Sequence, residues 1–198
     1  MKESSTSTAS PLKGLMRTRD LEAKGWNRVS IGAMVQRGEL LKLGRGVYAP
    51  SDYAPTEESS LAQVAIKCPH SVFCLLTALK LHGLTTQNPH EVWIAIDHKA
   101  NAPKMDYPPL RVVRFSGDAL THGFDPIVVD GIVQANVTNM AKTIADCFKF
   151  RNKIGLDVAI EALREALNAK RVTMDELHHH AKICRVDKVM RPYMEALA

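Results

Sequence analysis

The rhythm of apolar and polar positions shifts along the chain, and each shift predicts an element. Ile31, Met34 and Val35 recur at helical spacing. They form the buried stripe of a helix that Asn27 caps, that runs to about Arg37, and that Gly38 closes. Trp26 packs just before it. A shorter helix over 19–24 precedes it, with Thr18 as N-cap, Asp20 and Glu22 in its first turn, and Gly25 as its left-handed stop. Residues 40–43 and 47–49 then read as two strands of a hairpin. Gly44 and Gly46 permit the turn, and Arg45 stands at its tip. Helix, turn, helix and hairpin in this order predict a winged helix-turn-helix.

The rhythm differs beyond residue 53. Residues 50–55 read as a linker. Thr56 caps a helix to about Lys67, with Leu61, Val64 and Ala65 at core spacing, and Pro69 breaks it. Ser71 is expected to cap a helix over 72–82, closed by Gly83. Three strand-like runs follow, at 91–97, 110–115 and 127–133, between proline- and glycine-rich segments. Thr138 is expected to cap a helix to about Phe150. Residues 157–169 carry Val158, Ile160, Ala162, Leu163, Ala166 and Leu167 as an amphipathic helix. Thr173 and Glu176 make a capping box for a helix to about Cys184, and a last helix covers 187–197. Helices, then strands, then helices argue an α+β fold: a winged helix-turn-helix followed by a larger mixed domain. The expected organisation is a disordered tail at 1–10, a DNA-binding domain at 11–53 and an α+β domain at 54–198.

Composition narrows the class. The 198 residues are 45% hydrophobic and 24% charged, ordinary for a globular protein. No apolar run reaches the length of a membrane helix, and the first residues lack the apolar core of a secretory signal, so a cytoplasmic protein is expected. Cys68, Cys74, Cys147 and Cys184 show no paired spacing and sit in apolar patterns, which predicts reduced, buried thiols. The net charge of +5 is uneven: residues 1–53 carry +4 of it and the remaining residues +1. A local cationic excess suits phosphate contact, because each neutralised phosphate releases condensed counterions.

The candidate DNA contacts are Arg17, Arg19, Arg28, Val29, Ala33, Gln36, Arg37, Lys42 and Arg45. Val29, Ala33 and Gln36 lie opposite the buried stripe, beside Gly32. Their side chains are short apart from Gln36, which suits deep entry into a major groove, with Gln36 on adenine and the Val29 or Ala33 methyls on thymine. Arg28 sits at the helix start, where backbone N–H groups favour phosphate. Arg45 at a wing tip suits phosphate or the minor groove. The plain alternatives are a surface helix with a small-residue face and a hairpin with a solvated arginine.

Other motifs are weaker. Asp97-His98-Lys99, with Glu91 at the start of the same strand, has the acid-x-lysine pattern of a metal-dependent nuclease, but a solvated turn explains it as well. His178, His179 and His180 are expected on a solvated helix face rather than around a metal, since neighbours on a helix diverge by about 100°. His82 reads as a helix-end packing residue. Gly44-x-Gly46 lacks the rest of a phosphate-binding loop. Lys142, Lys149, Arg151 and Lys153 cluster, as do Arg111 and Arg114; the first four read as a solvated face or as a second contact surface.

The segments LLTALKLHGLTTQNPHEVWIAID, PPLRVVRFSG and NMAKTIADCFKFRNKIGLDVAIEALREAL resemble the antitoxin of the AbiE type IV toxin–antitoxin system, the AbiEi family. The hairpin LLKLGRGVYA resembles that family's N-terminal module. The resemblance covers roughly residues 15–198 and rests on the order and number of these phrases, none of which is a catalytic signature. It implies an N-terminal winged helix-turn-helix that represses its own operon by binding inverted repeats in double-stranded DNA. It implies a C-terminal domain that counteracts a nucleotidyltransferase-type toxin, with or without direct contact. The expectation is an antitoxin and autorepressor with no catalysis, cofactor, metal or membrane of its own, monomeric in solution and bound to DNA in two copies. Lys142, Lys149, Arg151 and Lys153 are the candidate protective surface. The alternatives are a metal-dependent nuclease using Asp97 and Lys99, and a plain winged-helix regulator with a ligand-sensing domain.

Overall fold

A computed structural model of the chain describes residues 14–53 and 57–197. The expected tail at 1–10 and the Thr56 cap lie outside these residues. The described residues form two compact units. One holds the chain up to Lys67 together with Val128–Val133, and the other holds Cys68–Ile127 and the chain from Gln134 onward. The sequence places a boundary at 53/54, whereas compactness groups the helix after the linker with the first unit.

The first unit runs β1 (Met16–Arg17), α1 (Thr18–Ala23), α2 (Arg28–Gln36), β2 (Leu40–Gly44), β3 (Val47–Pro50) and α3 (Glu57–Lys67). The three strands form an antiparallel sheet in the order β1-β3-β2. Met16, Leu21, Ile31 and Leu40 are its buried centre, with Trp26, Met34, Val35 and Tyr48 packed around them. The predicted stripe of α2 therefore faces inward. Asn27 caps α2 as expected, its side chain accepting from the Ser30 amide at 2.8 Å. Gly25 and Gly38 adopt the left-handed conformation that ends each helix.

Two local expectations are corrected. Thr18 is the first residue of α1, not its cap. The cap is Arg17, whose amide donates to the Asp20 carboxylate at 2.9 Å. Thr18 instead gives its amide to the Gly46 carbonyl at 2.9 Å, because β1 pairs with β3 and carries α1 to the wing turn. Gly44 and Gly46 also differ. Gly46 has φ +70°, the positive value its turn requires, but Gly44 does not. Gly44 is needed for space: a Cβ there would lie 2.3 Å from Ile66 Cγ2 of α3.

The second unit holds β4 (Val72–Phe73), α4 (Leu75–Leu81), β5 (Val92–Asp97), β6 (Leu110–Phe115), α5 (Asp118–Thr121), most of β7 (Phe124–Val129) and β8 (Val133–Thr138), α6 (Met140–Lys149), α7 (Arg151–Ile154), α8 (Leu156–Asn168), α9 (Met174–Ile183) and α10 (Asp187–Leu197). Its mixed sheet has the order β6-β5-β4-β8-β7. The fold is mixed α and β, as the element order implied. The predicted helix over 72–82 splits: Val72 and Phe73 pair with both β5 and β8, and Ser71 donates to the Cys68 carbonyl rather than capping a helix. The run 127–133 is not one strand. It turns at Asp130-Gly131, both at positive φ, the Asp-Gly signature of a tight hairpin. Pro126 is tolerated because β7 lies at the sheet edge. Asn139, not Thr138, caps α6, accepting from the Lys142 amide at 2.8 Å. The Thr173–Glu176 capping box holds as predicted.

Trp93, Ala95, Val113 and Phe115, alternate residues of β5 and β6, share one core with α4, α6, α8, α9 and α10. Helix α6 is buried on all sides: every residue from Ala141 to Phe148 is covered. Its polar residues must then find partners inside. Lys142 Nζ meets Asp146 at 2.9 Å, one turn along the helix. Cys184 of α9 donates its S–H to the other Asp146 oxygen at 3.2 Å. The ammonium also lies 4.4 Å from the Phe115 ring centre, where the π face stabilises a cation. Burial pushes the Asp146 carboxyl up, opposed by Lys142, and pushes the Cys184 thiol up to about 12. All four cysteines are buried and none is in a disulfide.

His180 corrects the view of the three histidines as a solvated face. His179 is exposed and His178 faces Asp187 at 3.4 Å, but His180 turns inward and contacts the Asn139 amide nitrogen at 3.3 Å. Its ring and Lys142 pack on Gly123, where a Cβ would come within 2.6 Å of His180. Burial, with His179 and Lys142 adding to it, lowers the His180 pKa from 6.5 to about 4.

Gly44→Ala is expected to destabilise the protein by about 1–3 kcal/mol, the usual range for overpacking. Adding Ile66→Ala should recover part of the loss in thermal unfolding; additive losses would place the strain elsewhere. The His180 shift has a definite sign. The unfolded chain takes up the proton nearer pH 6.5, so this contribution is complete above that value and is lost as pH falls toward about 4. Denaturant midpoints measured between these limits should fall for the native sequence and fall less for His180→Gln. Parallel curves would remove His180 as the cause.

Candidate nucleic-acid interface

Helix α2 presents two faces. Ile31 is buried and Met34 and Val35 are half-buried, while Arg28, Val29, Gly32, Gln36 and Arg37 are exposed and Ala33 is half-exposed. Val29 is 81% exposed. Val29 and Gln36 are seven residues apart, nearly two full turns, and so share one side of the helix with Gly32 and Ala33 between them. The outward face is therefore a shallow strip with one apolar and one amide-bearing side chain at its ends.

The wing turn is only two residues long, Arg45 and Gly46. It places one exposed arginine at its tip. The same contacts that moved Thr18 out of its cap bring the start of α1 to this turn: Arg17 is in register with Val47, and Thr18 bonds to Gly46. Arg17, Arg19 and Arg45 thus gather at one end of the module, which the sequence did not reveal. Lys42, on β2 opposite Tyr48, is exposed.

Acids temper this charge. Arg28 pairs with Glu22 at 3.3 Å, Arg37 with Glu39 at 2.5 Å and Arg19 with Asp20 at 3.6 Å. The hydrogen bond from Arg37 holds the Glu39 carboxyl below its ordinary value. Exposed single-contact pairs such as Arg28–Glu22 are weak, whereas Arg37 holds Glu39 through two hydrogen bonds. Among the described residues Arg45 and Lys42 have no ion-pair partner. Glu22 and Glu39 were missed as arginine partners; their signal was only proximity across a turn.

The second basic group divides. Lys142 is corrected: it is fully buried against Asp146 and has no place on a surface. Arg151 donates to the Phe148 carbonyl at 2.9 Å and finishes α6. Lys149 and Lys153 are exposed and flank the half-buried Phe150 ring, at 6.0 and 5.6 Å from its centre. Arg111 lies over Trp93 and near Glu91, and Arg114 donates to the carbonyls of Asp97, His98 and Ala100.

Asp97 accepts from the Lys99 amide at 2.7 Å and lies 3.4 Å from His98, so its carboxylate shapes the turn after β5. Among the described residues no group of three His, Cys, Asp or Glu side chains is arranged to hold a metal ion. His82 ends α4 with its ring on the Thr138 carbonyl at 2.7 Å, the packing role expected of it. No described helix is long and apolar enough to cross a membrane.

Comparison with known families agrees with this module. Residues 9–51 match the family described as transcriptional regulator, AbiEi antitoxin. The match ends with the wing and includes every candidate DNA-contact residue. The C-terminal phrases that resemble the same family lie outside it. No curated protein matches the chain. Over residues 9–51 the chain is thus similar to the AbiEi antitoxin family of transcriptional regulators.

Proposed function

We propose that the protein is the antitoxin and autorepressor of a type IV toxin–antitoxin operon, acting in the cytoplasm without catalysis of its own. One observation carries this reading: the AbiEi match falls on a β1-α1-α2-β2-β3 module whose outward helix face is shallow and whose hairpin tip carries one arginine, without an ion-pair partner among the described residues. In this reading α2 enters the major groove of double-stranded DNA. Arg45, with Arg17 and Arg19 beside it, holds phosphate or the minor groove, and Lys42 adds to the phosphate contacts. Arg28 and Arg37 exchange Glu22 and Glu39 for phosphates on binding. The protein is a monomer that occupies inverted repeats in its promoter in two copies.

The larger unit then counteracts a nucleotidyltransferase-type toxin. With Lys142 removed from consideration, the exposed lysines 149 and 153 around Phe150, with Arg151 at the same helix end, are the proposed protective surface. The deciding experiment joins both roles. The chain is co-expressed with the product of the adjacent reading frame and scored for growth, while a promoter reporter records repression. Growth rescue with repression supports the reading; failure of both would sink it.

Arg45→Ala should weaken binding on cognate and random duplexes alike and lower the salt slope by about 1, the signature of one lost phosphate contact. Unchanged affinity and slope in a titration would take Arg45 out of the interface. Replacing Lys149, Arg151 and Lys153 together with Ala should reduce growth rescue while leaving repression intact. Full rescue by that variant would discard the surface.

A further inference from the structure

The first turn of a recognition helix is where base edges are commonly met. In α2 the polar side chains of that turn are engaged within the module. Asn27 accepts from the Ser30 amide at 2.8 Å and from the Ser30 hydroxyl at 3.0 Å. Arg28 turns back to Glu22 of α1 at 3.3 Å. Val29 remains, 81% exposed and with nothing polar to offer. An isolated valine on so open a position contributes little to the fold. Of the groups displayed in a major groove, the thymine C5-methyl is the apolar one.

Resting on the DNA-binding reading above, we propose that Val29 is a specificity residue that packs on a thymine methyl in each half-site. The helix fixes what accompanies this contact. Gln36 is on the same side, seven residues along, and its amide has the donor and acceptor that adenine requires. Seven residues rise about 10 Å. Gly32 and Ala33 between them leave no side chain long enough to hold the helix away from the bases. Each half-site is then read by a methyl contact on thymine at one end of this face and by an amide on adenine at the other.

The test uses the full chain and its own upstream DNA. Footprinting locates the bound segment, and each thymine within it is replaced in turn by deoxyuridine, which lacks only the methyl group. One position per half-site should weaken binding by about fourfold, the factor for one methyl returned to water. Val29→Ala should weaken binding to the native duplex by at least that factor and should be insensitive to deoxyuridine at that position alone. Val29→Thr, which keeps the size and one methyl, should fall between. Equal sensitivity of native protein and Val29→Ala to every replacement would overturn the proposal, as would unchanged binding by Val29→Ala. Absence of any footprint would overturn the DNA-binding reading itself, and the Val29 assignment with it.

Discussion

The burial of α6 is the constraint around which the larger unit is organised. A helix covered on every side must satisfy any charge it carries from within. Lys142 and Asp146 do so one turn apart on the same helix, and the surroundings complete the arrangement. Cys184 donates to the second carboxylate oxygen, Phe115 lies against the ammonium, and Gly123 lets the backbone approach where a side chain would collide. Breaking a buried pair by removing one partner typically costs about 3–5 kcal/mol, because the other charge is left without compensation. Each partner thus ties α6 to a different element, and the pair specifies how α9 and the β6 end of the sheet meet the central helix. His180 belongs to the same group, neutral because it is covered and because Lys142 is close.

The N-terminal module is built with little material. A two-residue β1, two short helices and a hairpin with a two-residue turn enclose a small core. So small a unit gains from further cover. Helix α3 supplies it where Ile66 lies on Gly44, and Tyr53 bonds both Ser59 and Asp130 within the same compact unit.

The two basic groups have different physical meanings. In the N-terminal module most of the described cations are exposed, and Lys42 and Arg45 have no ion-pair partner among the described residues, the condition under which a cation is open to a polyanion. In the larger unit, charge of the same sign is partly consumed by architecture: Lys142 in the core, Arg151 at a helix end, Arg114 on a turn. Of the four basic residues clustered at 142–153, Lys149 and Lys153 retain the open character of the first group. Net charge by segment places the cationic excess in the first 53 residues, but in the larger unit cationic residues near one another in sequence did not form one surface.

What the sequence determined by itself is what local bonding decides. Asn27 and Ser30, Thr173 and Glu176, and the glycines after α1 and α2 lie within a few residues of their partners, so these helix limits were legible. The exposed face of α2 followed from the 3.6-residue period. Tertiary structure decided whatever depends on distant chain. Two-residue strands such as β1 and β4 have no periodicity to read and exist because β3, β5 and β8 supply their hydrogen bonds. The Asp130-Gly131 turn was legible in principle but was hidden inside an apolar run. Gly44 resembled a turn residue until Ile66 arrived from α3. Lys142 and His180 carry polar labels that promise solvent, and only packing against Phe115, Gly123 and Asp146 shows them buried. A residue type states what its side chain prefers, but the cost of burying it depends on partners brought from elsewhere in the chain.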